Sequence, residues 1–377
     1  MIAGPIHLTL LVGPVVPVPA PRFVLDALES VTVTDTAARG ATGAFQLVFT
    51  LDKRSALTTL FVIAGGAVPP ILRVILVVTV AGRPEVLVDG VVTEQQTAPA
   101  DRGRYTMTVT GVDLTQVMGL IDLTGTPYPA MPVEARVATV LARYAFLGIV
   151  PLIIPTIVPE TPDPTRQIPV HRGTDLAYLR LLADRTGYVF TLIPGPAPGT
   201  TVAYWGPEAK VGPPQPALTL DSDVLTNVDR VSFSIDTERR EQPVIFLQNP
   251  ETKAIIPVPI PDVSPLNPPL GLLAPPAKRI RHIRETAKLS MPQAILLGMA
   301  RAAQSADAVT ARGELDVLRY GAVLRSRRLV GVRGAGLAFD GLYFVQSVTH
   351  QLRRGAYSQQ FTLVRNGLIS TLPTVPV

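Results

Sequence analysis

Four histidines, the acidic side chains and one glycine-rich stretch are the residues of this chain that could do chemistry. His7, His171, His282 and His350 are scattered, and no two have the i, i+4 spacing with which a helix presents paired metal ligands. His171 and Asp175 make the one close pairing of a histidine with a carboxylate, and a loop or helix-cap role suits that histidine better than a metal. Cysteine is absent, which removes disulfide frameworks, thiolate zinc sites, iron–sulfur clusters and cysteine nucleophiles together. No G-x-S-x-G elbow and no G-x-x-x-x-G-K-[ST] loop occurs, so serine-esterase chemistry and nucleotide hydrolysis have no support. Gly334-Ala-Gly336 with Gly341 imitates part of a dinucleotide fingerprint, but a β hairpin is expected to follow it and the third glycine is misplaced. Trp205, at the end of a strand beside Gly206 and Pro207, reads as a core or interface anchor rather than a sugar platform. Most Asp and Glu fall in turns or caps, so no carboxylate pair for glycoside hydrolysis stands out. The sequence therefore names no catalytic, cofactor-binding or metal-ligating residue.

The elements that remain are those of a scaffold. The chain has 377 residues with 38 prolines and 29 glycines, 47% apolar and 17% charged. Disorder driven by charge is excluded, and a mostly helical protein conflicts with so much proline. A β-dominated, multi-domain chain fits. The N-terminus has neither a basic region nor a small-residue cleavage pattern, so the expectation is a protein without a signal peptide, assembled in the cytoplasm. Two apolar stretches, Ala145–Pro159 and Ala254–Ala277, are interrupted by proline, the second by eight of them. Both read as extended arms seeking a neighbour rather than as membrane spans.

Charge is unevenly placed. The net charge is +5, yet residues 278–377 alone carry +10, concentrated at Lys278, Arg279, Arg281 and Arg284 and at Arg325, Arg327 and Arg328. A solvated face, or one complementary to an acidic partner, is the preferred reading over nucleic-acid contact.

Periodicity divides the chain. Ser30–Asp35, Ala44–Leu51, Leu72–Ala81, Glu85–Thr93 and Arg104–Asp113 read as strands, the last alternating Tyr105, Met107 and Val109 against Thr106, Thr108 and Thr110. Amphipathic helices are predicted over Pro132–Tyr144, over Asp175–Thr186 between a Thr174 cap and a Gly187 stop, and over Met291–Ala306 behind a Ser290/Gln293 capping box. Strand character returns at Thr201–Trp205, Ala217–Leu220, Asn227–Asp236, Pro243–Leu247, Gly313–Leu318 and Arg328–Val332. Leu342–Thr349 and Ala356–Arg365 form a hairpin about Gly355. The expected organisation is a β-dominated α+β fold. It has a first tube-like β-barrel with an N-terminal arm (1–113), an α+β insert (114–200), and a second tube-like barrel with a Pro-rich arm near 250–277 and one helix (201–377).

Three stretches carry a family resemblance. They are His7-Leu-Thr-Leu-Leu-Val-Gly-Pro leading to Ala27-Leu-Glu-Ser-Val-Thr-Val-Thr-Asp, the segment Gly173-Thr-Asp-Leu-Ala-Tyr-Leu-Arg-Leu-Leu-Ala-Asp-Arg-Thr-Gly-Tyr-Val-Phe, and Gly341-Leu-Tyr-Phe-Val-Gln-Ser-Val-Thr-His350 leading to Tyr357-Ser-Gln-Gln-Phe-Thr-Leu. In that order they resemble the phage late control protein D and T-even-type baseplate hub family of contractile tails and phage-tail-like injection systems. The resemblance implies a non-enzymatic virion or particle component: a homotrimer whose six barrels join a hexameric inner tube protein to a trimeric spike protein around a channel. It further implies contacts with other baseplate components, no cofactor and no membrane insertion, with nucleic acid only as channel cargo. The chain lacks a repetitive β-helical tail, so the spike is expected to be a separate protein. The competing functions are a tail-associated peptidoglycan hydrolase and a nucleic-acid-binding tail component.

Overall fold

The computed structural model describes residues 6–52, 71–100, 103–157, 161–165, 168–220, 226–248, 255–261, 266–283 and 291–372. Its first strands are β1 (His7–Gly13), β2 (Val18–Pro19), β3 (Leu28–Thr36), β4 (Ala44–Leu51), β5 (Arg73–Val80), β6 (Arg83–Pro99) and β7 (Tyr105–Asp113). Then come β8 (Ile149–Ile153), β9 (Tyr188–Pro194) and β10 (Thr201–Pro207). The last part holds β11 (Gln215–Thr219), β12 (Arg230–Ile235), β13 (Glu241–Gln248), β14 (Ile255–Pro259), β15 (Gly271–Leu273) and β16 (Arg279–Ile283). It ends with β17 (Val309–Asp316), β18 (Leu329–Arg333), β19 (Gly341–Arg353), β20 (Ala356–Arg365) and β21 (Leu368–Ser370).

Most of these strands belong to one sheet in the order β12-β17-β20-β19-β3-β4-β7-β6-β5-β1-β2, with β18 branching from β19 and carrying β11. The N-terminal and C-terminal β blocks are its two halves, joined where β3 pairs antiparallel with β19, Val33 opposite His350. The alternation read from β7 is realised: Met107 and Val109 are buried while Thr106, Thr108 and Thr110 are only partly covered. In β5 every residue but Thr79 is buried, because both faces of the run Val-Ile-Leu-Val-Val are covered. One apolar core runs through both halves, from Leu10, Leu47 and Phe49 to Tyr343, Tyr357 and Phe361.

The insert has its own core. Strands β8-β10-β9 form a small sheet, and the helices Val133–Ala142 and Asp175–Thr186 pack over Ile149, Ala203, Trp205 and Leu192. The second helix starts and stops where expected: the Thr174 hydroxyl accepts from Ala177 N at 3.3 Å, and Gly187 takes the left-handed conformation at φ +76°. A side chain at Gly187 would also meet Ala300 at 2.8 Å, so the residue that ends this helix admits the helix Met291–Ser305 beside it. That third helix is present as predicted; Ser290, the other half of its expected capping box, lies outside the described residues.

Two expectations need adjustment. The strand predicted over Gly313–Leu318 ends at Asp316, whose side chain accepts from Arg319 N at 3.0 Å and caps a short helix, Val317–Tyr320, closed by Gly321. The capping geometry of Asp316 outweighs the β propensity of Val317. The proline arms are also pinned by their own chain. Residues 14–21 turn back so that Val18 pairs with Val12, and Gly13 makes room for the turn with Pro17 Cα only 3.0 Å from where a Cβ would sit. In the second arm β14 pairs with β13, and β15 pairs with β21 near the C-terminal end.

Candidate assembly surface

The residues that promised chemistry are mostly tied up inside the fold. His171 is fully buried, with Nδ1 3.0 Å from the Tyr128 hydroxyl and Nε2 3.3 Å from Asp175 Oδ1. Asp175 also accepts from Arg143 Nη1 at 2.9 Å and from the Tyr144 hydroxyl at 2.7 Å. Burial pushes the His171 pKa down against the pull of Asp175, and burial with the Asp175 bond pushes the Tyr144 phenol up. This knot ties the 168–171 strap to both insert helices. His171 is a loop histidine, as expected, sitting just ahead of the Thr174 cap, and the fold buries it completely.

His350 is the second such case. Its Nδ1 lies 2.8 Å from the Tyr357 hydroxyl and 3.0 Å from Gln359 Nε2, and complete burial pushes its pKa down to about 3. His282 lies against Phe246, ring centres 5.2 Å apart, and His7 stands exposed at the start of β1. Trp205 is the core anchor expected of it, wholly buried and edge-on to Tyr188 at 4.8 Å. Gly334 and Gly336 sit at φ +79° and +87° in the turn between β18 and β19, the role that glycine alone fills easily. Among the described residues, no group of three or more His, Cys, Asp or Glu could hold a metal ion.

Sequence reading missed the most constrained polar centre. Arg73 Nε and Nη2 bond the two Asp89 oxygens at 2.7 and 2.6 Å, with both side chains buried. Asp89 Oδ2 also accepts from the Thr201 hydroxyl at 3.1 Å, while Arg73 donates to the carbonyls of Val15 and Gly199 at 3.0 and 3.2 Å. One ion pair thus fastens the N-terminal arm and the β9–β10 loop of the insert to the main sheet. The available signal was a single charge of each sign inside two runs made mostly of Val, Ile and Leu. A cavity of about 30 Å³ borders Asp35, Asp89 and Asp113, room for one water. Asp113 there accepts from Gly43 N at 2.8 Å and Thr115 N at 3.0 Å, and burial raises its pKa.

The basic clusters find acids within the same chain. Lys278 Nζ is 2.6 Å from Glu238, Arg281 Nη1 is 3.1 Å from Glu241, and Arg325 Nη2 is 2.7 Å from Glu85. Arg327 donates to Thr36 O at 2.6 Å, and burial lowers its pKa. Part of the C-terminal excess of positive charge therefore answers the acidic surplus of residues 1–277. Arg284 lies outside the described residues.

What the fold leaves open is apolar. On the face of the insert sheet turned away from its core, Val150, Val202 and Ile193 align across β8, β10 and β9, with Leu152 one pleat along. Val150 and Leu152 are half exposed, at 50% and 46%. Val16 and Val18 on the N-terminal turn, Leu272 on β15 and Leu337 in the β18–β19 turn are still more exposed. Burying a side chain of this size is worth about 1.5–3 kcal/mol, so these positions are the natural places for a neighbour to cover.

No protein-family model matches the sequence, and no curated protein matches it. Solved structures do. A tail protein from Neisseria meningitidis superposes with a TM-score of 0.61 at 14% identity, covering 96% of this chain and 98% of that one. The 43 kDa tail protein of prophage MuSo2 from Shewanella oneidensis gives 0.62 at 15% identity, covering 96% and 99%. An Escherichia coli component of the type VI secretion system, described as structurally similar to the T4 tail proteins gp27 and gp5, gives 0.53 at 13% identity over 93% and 78%. This chain shares the fold of the two tail proteins over 96% of its length. Its class is β-dominated α+β, and the resemblance drawn from the three sequence stretches is met at the level of the fold.

Proposed function

We propose that this protein is a non-enzymatic structural component of a contractile tail or tail-like injection particle. Its finer role is that of a homotrimeric baseplate hub joining the hexameric inner tube to a trimeric spike around a central channel. The observation that carries the reading is the near-complete, two-way coverage of two tail proteins, 96% of this chain against 98% and 99% of theirs. Three features support it. The carboxylates Asp89 and Asp113 are committed to internal bonds beside a water-sized cavity, not displayed in a cleft as a peptidoglycan hydrolase would need. Many of the basic residues are paired internally, which weakens the nucleic-acid reading. The exposed apolar positions on the N-terminal turn, the insert sheet and β15 ask for partners, and a cyclic trimer covers such patches with closed heterologous contacts.

The same reading divides the chain into a barrel over 1–113, an insert over 114–200 and a second barrel over 201–377, with the particle assembled in the cytoplasm. The test is the solution mass of the purified chain followed by electron-microscope class averages, alone and co-expressed with a candidate spike protein. A mass of three chains and a ring with a central hole is expected. A monomer that forms no ring even with the spike overturns the hub role.

A further inference from the structure

A second cleft, of about 220 Å³, opens between the helix Met291–Ser305 and the parallel pair β13–β16. Three arginines line it from three separate elements: Arg239 from the bend before β13, Arg281 from β16 and Arg301 from the helix. Arg301, Gln304 and Ser305 share one helical face by their spacing, and all three border the cleft. The floor is firm, because Ile245, Ile260, Ala294 and Ala302 pack beneath it as a small core of their own. Gly298 lets the helix close on Ile260, where a Cβ would come within 2.8 Å.

The charges in this cleft do not balance. The one carboxylate among its described lining residues, Glu241, accepts from Arg281 Nη1 at 3.1 Å. Among the described residues the guanidinium groups of Arg239 and Arg301 have no hydrogen-bond or ion-pair partner. Arg301 also sits close enough to Arg39 for the two cations to repel, although Arg39 is itself held by Asp184 at 2.9 Å. Converging, unneutralised guanidinium groups around a concave space form a receptor for planar oxyanions, which they grip through paired N–H donors.

The lining decides which oxyanion source fits. Among the described residues no aromatic ring borders the cleft, so they offer no stacking platform for bases, and Glu241 repels a continuous run of phosphates. Isolated carboxylates match both the forks and the modest volume. We propose that this cleft is a docking site for carboxylate side chains of an acidic segment on a partner protein. The proposal does not depend on the hub reading, since it rests on the geometry of this layer alone.

The experiment measures fluorescence anisotropy of a labelled peptide whose glutamates are spaced by glycine and serine, titrated with the full chain at low and raised salt. Wild-type protein is expected to bind with an affinity that falls as salt rises. The double variant Arg239→Gln/Arg301→Gln should bind at least about tenfold more weakly, the loss expected of charge-assisted pairs. Arg83→Gln, an exposed arginine at the start of β6, should bind as wild type does. Glu241→Gln removes the internal competitor and should bind more tightly, a gain that misfolding cannot produce. No binding by wild type, equal affinity across the variants, or preferential binding of an oligothymidylate or inorganic phosphate over the peptide each overturns the proposal.

Discussion

Arginine meets carboxylate in two very different settings in this molecule. At the Arg73–Asp89 pair both side chains are buried, the ion pair itself is short at 2.6 Å, and the bonds reach the N-terminal arm, two strands of the main sheet and the β9–β10 loop. At β16, Lys278 just before the strand and Arg281 within it face Glu238 and Glu241 with their cationic groups in solvent. In water such pairs gain little, because solvent and salt screen them and the side chains lose freedom. In the sheet an unpaired partner has no water to turn to. Charge in this protein therefore has two functions: fixing the joints between segments where it is buried, and leaving surfaces available for recognition where it is not.

The sharpest way to break this contrast is Asp89→Ala. Stranding Arg73 in the sheet should cost about 3–5 kcal/mol, read as a lowered midpoint in denaturant unfolding. The joint replacement Arg73→Met/Asp89→Leu should cost much less than Asp89→Ala, and equal costs would show that packing rather than charge dominates the joint. Next in size is a pH effect at His350. Its folded pKa is depressed to about 3 from 6.5, so the unfolded chain takes up a proton first as the pH falls. Its contribution is complete above pH 6.5 and is lost as the pH falls toward 3, at a slope of up to about 1.4 kcal/mol per pH unit. His350→Gln should flatten that part of the stability profile. A smaller loss, about 1 kcal/mol, is expected for Thr174→Ala, which removes the cap of the Asp175–Thr186 helix at the insert surface. Smallest of all, Lys278→Gln should leave thermal unfolding unchanged within error, and a clear shift would contradict the account of the exposed pairs.

How much of this was legible beforehand depended on distance along the chain. The Asp175–Thr186 helix, its Thr174 cap and its Gly187 stop could be read because each signal lies within a few residues of its effect. The β19–β20 hairpin about Gly355 was legible for the same reason. The Arg73–Asp89 joint was not, since its value depends on Thr201 and Gly199 arriving from the insert. The arms were recognised as extended and apolar, but not that Val18 returns to Val12 or that β15 finds β21.

The amino-acid sequence by itself determined the β-dominated composition, the alternation of β7, the helices with their caps, the absence of cysteine chemistry and the burial of Trp205 as an anchor. These follow from local periodicity and from which side chains leave water most readily. Only the tertiary structure decided that β3 pairs with β19 to join the two ends of the chain in one sheet. It alone decided that acids from the first part answer bases of the last, and that Arg239, Arg281 and Arg301 converge on one open cleft. Those outcomes turn on contacts between residues far apart in the chain, whose energies appear only once folding has removed the water between them.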